Sequence, residues 1–154
     1  MLKDRVVVYV SGTFDMFHSN HLKMIEYGRG LGEVLIVGVS TDELVCTYKV
    51  PPTIPFEERI EIVKALKHPD IVIPQHSLEH TQIVKNLHID VFVIGDDWLG
   101  KYDYLTESNV QVFYFPYGVG VSSTKIKQQI ASNYEKIKNK VDKHSNPEIN
   151  IQKT

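Results

Sequence analysis

The chain has 154 residues, 42% of them hydrophobic, enough for one domain around a single core. A formal net charge of -2 argues against a nucleic-acid binder held by a broad basic surface, and no run approaches the ~18 apolar residues of a membrane span. The one cysteine, Cys46, excludes an intramolecular disulfide and fits a reducing cytoplasm.

The first residues, Met1-Leu2-Lys3-Asp4-Arg5, lead straight into strand pattern, with no signal-peptide core expected. Residues 6–10 (Val6-Val7-Val8-Tyr9-Val10) predict a buried parallel strand. A helix is predicted over about 19–31, ending near Gly30 or Gly32. Residues 34–39 predict a second strand. Thr41-Asp42-Glu43 then opens a short helix, capped by Thr41 or Asp42, that must end before Pro51-Pro52. Phe56 to Leu66 predicts a helix, 71–73 a third strand, 79–87 a helix, 91–94 a fourth strand and 110–115 a fifth. Ser122-Ser123-Thr124 caps a last helix beginning near Lys125. Apolar strands alternating with helices predict an α/β fold, a doubly wound, mainly parallel five-stranded sheet of the Rossmann-like kind. The domain is expected over 1–138, with a polar tail from 139 to 154.

The segment from Ser11 to His21 carries most of the chemistry. A strand, a glycine-bearing turn and a helix start together offer backbone N–H groups and a helix dipole to an anion. His18 and His21, three residues apart, project to neighbouring positions on the first helical turn. Two imidazoles beside a phosphate site point to chemistry on a phosphate. Two further segments, after Ile94 and after Phe115, also follow strands, so all three converge on the carboxyl edge of the sheet.

Taken together, these motifs resemble the cytidylyltransferases of the nucleotidyltransferase superfamily, and most closely their glycerol-3-phosphate branch. The family signature G-T-F-D-x-x-H-x-G-H reads here as Gly12-Thr13-Phe14-Asp15 and His18-Ser19-Asn20-His21. Val39 to Glu43, the loop residue Lys49 and the pair Glu58-Arg59 match further family positions. So do the run from Gly95 to Asp103 and the final run Gly120-Val121-Ser122-Ser123-Thr124-Lys125-Ile126. The likeness covers about residues 6–130. Two departures stand out. Asn20 occupies the second-motif glycine, and Tyr117-Gly118-Val119-Gly120 replaces the common Arg-Thr-x-Gly. A basic contact to the nucleotide phosphates is therefore missing or supplied from elsewhere.

The resemblance implies that a phosphorylated alcohol, first of all sn-glycerol 3-phosphate, attacks the α-phosphorus of CTP. CDP-glycerol forms for a surface polymer such as teichoic acid, and pyrophosphate leaves. Alternatives are the same transfer to phosphoethanolamine or phosphocholine, transfer from ATP, or a degenerate relative that binds nucleotide without turnover. His18, His21 and Lys49 are the expected catalytic groups. Gly12, Thr13, Phe14, Asp15, Asp96, Asp97, Gly120, Ser122, Ser123 and Thr124 are expected to hold the nucleotide, and Arg59 and Trp98 the acceptor. Plainer roles stay open for each: a helix cap for the histidines and serines, a solvated lysine, a surface ion pair for Arg59, packing for Trp98. Mg²⁺ is expected with CTP. No protein metal site is, because Cys46 and the remaining histidines lack third-ligand spacing. A cytoplasmic homodimer without a nucleic-acid partner is implied. Asn20 either tolerates a left-handed turn or bonds to ligand. Lys125 and Lys127 read as solvated, and His68, His76, His80, His88 and His144 as scattered surface histidines.

Overall fold

A computed structural model describes residues 4–117 and 120–144, the side chains of 142–144 excepted. Residues 1–3 of the N-terminal reading, Gly118 and Val119 of the Tyr117–Gly120 departure, and the tail beyond His144 lie outside the described residues.

The apolar runs form five parallel strands in the order β3-β2-β1-β4-β5. Their ranges are β1 Val7–Gly12, β2 Val34–Ser40, β3 Ile71–Gln75, β4 Val91–Gly95 and β5 Gln111–Phe115. From β1 the chain steps outward through β2 to β3, then crosses back to β4 beside β1. That reversal puts the switch point, where ligands of such sheets bind, between the carboxyl ends of β1 and β4. The helices are α1 Ser19–Arg29, α2 Asp42–Cys46, α3 Phe56–Ala65, α4 Thr81–Asn86 and α5 Ser123–His144.

Side chains alternate between two buried layers. Val8, Val10, Val37 and Val93 face Met24 and Ile25 of α1 and Val63 of α3. Val7, Tyr9, Ile36 and Phe92 face the opposite way, toward Val84 of α4 and Leu105. Both faces of the sheet are covered, which is why its central strands read as unbroken apolar runs. Each fully buried Val or Ile contributes about 1.5–3 kcal/mol.

Several boundaries differ from the sequence expectation. β1 runs on to Gly12, because Ser11 and Gly12 keep pairing with Gly38 and Val39. α1 stops at Arg29, with Gly30 as its C-cap. α5 starts at Ser123 and continues to His144, so the expected tail boundary at 139 falls inside a helix. Two 3₁₀ turns, Asp96–Trp98 and Asp103–Ser108, follow β4 where no periodic signal marks them.

His80 is also corrected. It is only 1% exposed, packed among Tyr9, Phe92 and Tyr102, and its Nε2 has no hydrogen-bond partner among the described residues. Burial pushes its pKa down to about 4. The unfolded chain therefore takes up a proton near pH 6.5 that the folded chain refuses until about pH 4. Stability is full above pH 6.5 and is lost through that window as pH falls, by an amount of order 3 kcal/mol from this residue. Urea melts at pH 7.5, 6 and 5 should show this slope, and His80→Phe should flatten part of it. An unchanged slope in His80→Phe would show that His80 titrates normally.

Candidate active site

The turn after β1 is strained. Phe14 and Met16 have φ of 56° and 47°, left-handed values that cost a non-glycine residue about 1–2 kcal/mol each. Two charged residues hold it there. The Asp15 carboxylate accepts from the backbone N–H of Thr53 and of Ile54, each at 2.9 Å, and meets Lys127 Nζ at 3.0 Å. Burial alone would raise this carboxyl, but those donors outweigh it and hold its pKa below the usual range.

Arg59 works from the other side. Its Nε donates to Ile54 O at 2.8 Å, Nη1 to Thr13 O at 2.5 Å and Nη2 to Asp42 Oδ1 at 2.7 Å. Asp15 thus grips the N–H groups of the 53–54 loop, and Arg59 grips a carbonyl of that loop and one of the turn. This corrects the acceptor-binding expectation. Arg59 is 1% exposed, faces inward from α3 beside Ile60 and Val63, and has its guanidinium committed beneath the crevice. A charge so placed needs all its partners, and all three come from the protein.

The histidine rings stack, with centroids 3.7 Å apart and planes at 21°. His18 is the N-cap of α1. Its Nδ1 accepts from Asn20 N, while His21 Nδ1 accepts from His18 N, both at 3.2 Å. A ring whose Nδ1 accepts carries its proton on Nε2 when neutral. Burial lowers both pKa values. His21 falls to about 3, through burial and then the neighbouring His18, with Phe14, Phe17 and Tyr117 packed around its ring. The pair therefore presents two uncharged Nε2–H donors at neutral pH.

Both line a cavity of about 560 Å³ at the carboxyl ends of the strands. Gly12, Thr13, Phe14 and Asp15 form its wall at β1. Asp96, Asp97 and Trp98 form the wall at β4, and Ser122, Ser123 and Thr124 the rim at the start of α5. Lys49 reaches it from the loop after α2. Burial lowers the Lys49 pKa, while burial raises that of Asp97. Ser122 Oγ caps Lys125 N at 3.1 Å, and Ser123 Oγ donates to Asp15 O at 2.6 Å. Gly120 does not line the cavity; its φ of 143° turns the chain toward α5.

The cavity also holds residues that sequence reasoning missed. Lys127 lines it, where the sequence suggests a solvated lysine. Its i+4 spacing from Ser123 was the available signal. Tyr48, Lys101 and Tyr102 surround Trp98, with ring centroids at 5.4 Å and 5.7 Å for the tyrosines and Lys101 Nζ 5.1 Å from the indole centre. Lys101 and Tyr102 lie in the Gly95–Asp103 run of the resemblance without a role of their own there, and nothing in the spacing marks Tyr48. Tyr117, in place of the family arginine, packs its ring where a Cβ on Gly95 would come within 2.0 Å of it, and so requires glycine there. Asn20 is a further correction. It lies in the first turn of α1, absent from the positive-φ residues, and its side chain donates to Val121 O rather than facing the cavity.

The family model described as cytidylyltransferase-like matches residues 9–137. A glycerol-3-phosphate cytidylyltransferase of Bacillus subtilis (strain 168) is 40% identical over 128 residues, covering 82% of this chain and 97% of the relative. One from Staphylococcus aureus (strain NCTC 8325 / PS 47) is 34% identical, covering 82% and 94%. Among solved structures, a lipopolysaccharide core biosynthesis protein from Thermoplasma volcanium GSS1 matches with TM-score 0.62 at 21% identity, over 74% of this chain and 97% of that one, a likeness of fold.

Replacing Arg59 tests the clamp beneath the site. Arg59→Met removes the charge but leaves two carbonyls and Asp42 without their donor, so stability should fall by about 3–5 kcal/mol in denaturant melts. A loss below 1 kcal/mol would show that the guanidinium does not hold the turn.

Proposed function

This chain belongs to the cytidylyltransferase-like family, and from that premise we infer that it transfers CMP from CTP to sn-glycerol 3-phosphate, releasing CDP-glycerol and pyrophosphate. One observation carries the chemistry: two stacked, neutral imidazoles, each with Nδ1 tied to a backbone N–H, in one cavity with the N-terminal turn of a 22-residue helix. The acceptor rests on the full-length relatives.

A phosphate oxygen of the acceptor attacks the α-phosphorus. The new P–O bond forms as the bond to the β-phosphate oxygen breaks, and pyrophosphate leaves with that electron pair. The attacking phosphate is already anionic, so no strong base is needed. Catalysis is positioning and stabilisation of charge on the phosphoryl oxygens. The Nε2–H groups of His18 and His21 donate to those oxygens without adding charge of their own. Lys49, with Lys101 and Lys127 among the other residues lining the cavity, neutralises the triphosphate, and the first turn of α5 adds its free N–H groups and dipole. These lysines are the basic groups available where Tyr117 replaces arginine. Trp98, flanked by Tyr48 and Tyr102, forms the acceptor side.

Mg²⁺ fits this cavity as an ion carried by the CTP phosphates. Among the described residues no three His, Cys, Asp or Glu side chains group into a metal cage, and Mg²⁺ ordinarily relies on substrate phosphates with one or two carboxylates. Asp96 and Asp97 are the cavity carboxylates able to contribute, since Asp15 is already engaged. Bound there, the ion would offset phosphate charge. The same reading includes a cytoplasmic homodimer; among the described residues, no helix is long and apolar enough to cross a membrane.

Pyrophosphate release with CTP or ATP, each beside sn-glycerol 3-phosphate, phosphoethanolamine and phosphocholine, tests the assignment. CTP with sn-glycerol 3-phosphate should turn over fastest. A faster rate with another pair would reassign the substrate, and no release with any pair would leave only nucleotide binding. His18→Ala or His21→Ala should lower kcat by at least ~10²-fold, as expected for loss of a transition-state donor. Near-normal turnover in either variant would remove that residue from the chemistry.

A further inference from the structure

We propose that Asn20 is a positioning residue for the nucleotide: its side chain clasps the carbonyl of Val121 and holds the start of α5 against the histidine turn. The proposal rests on the reading that this cavity takes CTP. Asn20 Nδ2 donates to Val121 O at 2.5 Å across 101 positions of sequence. The backbone N–H of the same residue donates to His18 Nδ1 at 3.2 Å. One residue therefore fixes the ring that contacts phosphate and the segment that leads into the phosphate-facing helix turn.

That segment needs fixing. Gly120, with φ of 143°, immediately precedes Val121, and Val121 is 43% exposed. Glycine at such a point leaves the chain free to pivot. Beyond it stand the Ser122, Ser123 and Thr124 groups of the cavity rim. Ser123 Oγ to Asp15 O, at 2.6 Å, and Lys127 Nζ to Asp15 Oδ2, at 3.0 Å, hold α5 to the β1 turn. Both act from within the helix, whereas Asn20 alone of the three reaches the segment before it. The bond lies at the solvent-exposed rim, so it orders the site without carrying the core. Ordering the rim before CTP arrives raises the fraction of free protein competent to bind, and affinity follows that fraction. Once CTP is bound, its phosphates hold the same groups, so the chemical step is spared.

Asn20→Gly keeps the backbone bond to His18 and removes only the clasp. It should raise both Kd and KM for CTP about three- to tenfold, the range of one lost net hydrogen bond, while kcat and the acceptor KM stay within about twofold of wild type and Tm stays close to it. Asn20→Asp keeps the size but sets a carboxylate against the carbonyl, and should weaken CTP binding further. Asn20→Gln, which still carries a donor, should recover part of the loss. Hydrogen exchange in the free protein should quicken at the amides of 122–126 in Asn20→Gly. CTP affinity and exchange both unchanged in Asn20→Gly would overturn the proposal, and so would a change confined to the acceptor KM. Quicker exchange in a protein whose wild type binds no CTP would instead overturn the cytidylyl assignment and leave the clasp standing.

Discussion

A guanidinium buried beneath the crevice is the constraint on which the site depends. Arg59 has almost no access to water, so its charge must be answered by protein oxygens. The three that answer it belong to the β1 turn, the 53–54 loop and α2, segments that sequence alone does not bring together. Asp15 repeats the device with opposite sign, binding N–H groups of the same loop and a lysine of α5. Between them the two residues hold a turn whose φ values at Phe14 and Met16 would otherwise relax. The left-handed backbone delivers His18 to the head of α1, and the cavity follows from that placement.

The histidines then acquire their character from the backbone. Each Nδ1 is occupied as an acceptor, each ring is desolvated, and the stacked partner disfavours a second positive charge. The result is a pair of neutral donors in a site whose positive charge comes from lysines and a helix terminus. This division suits a transferase acting on a triphosphate. In the proposed reaction, lysines would neutralise the substrate in its ground state, while oriented neutral donors would follow charge that shifts during transfer without a proton having to move. Tyr117 fits the same pattern. Its ring packs beside His21 and against Gly95, adding desolvation where an arginine would have added charge.

Much of this was legible in the sequence, for identifiable reasons. The sheet was readable because its central strands are buried on both faces, which forces continuous apolar runs such as Val7–Val10 and Val91–Ile94. The site motifs were readable because each follows such a run. The 3₁₀ turns after β4 carry no apolar period and were not. A conspicuous arginine near a phosphate motif suggests an anion ligand, whereas two of the three partners of Arg59 are backbone carbonyls, which leave no trace in residue identity, and the third, Asp42, lies 17 residues away. The placements of Lys127 and Asn20 are illegible in the sequence for a related reason. Their contacts, to Asp15 and to Val121, span more than a hundred residues and exist only once α5 lies across the β1 turn. His80 reads as a surface residue in the sequence because nothing in its neighbours announces the aromatic cluster that buries it.

The central claim is that backbone-tethered, uncharged histidines present Nε2–H to the phosphates. Imidazole ¹⁵N NMR of His18 and His21 at pH 7, with and without CTP, tests it most directly. Neutral rings are expected in both samples, with the proton on Nε2, Nδ1 as acceptor, and a response to CTP concentrated at Nε2. An imidazolium at either position, a proton on Nδ1, or resonances indifferent to CTP would contradict it.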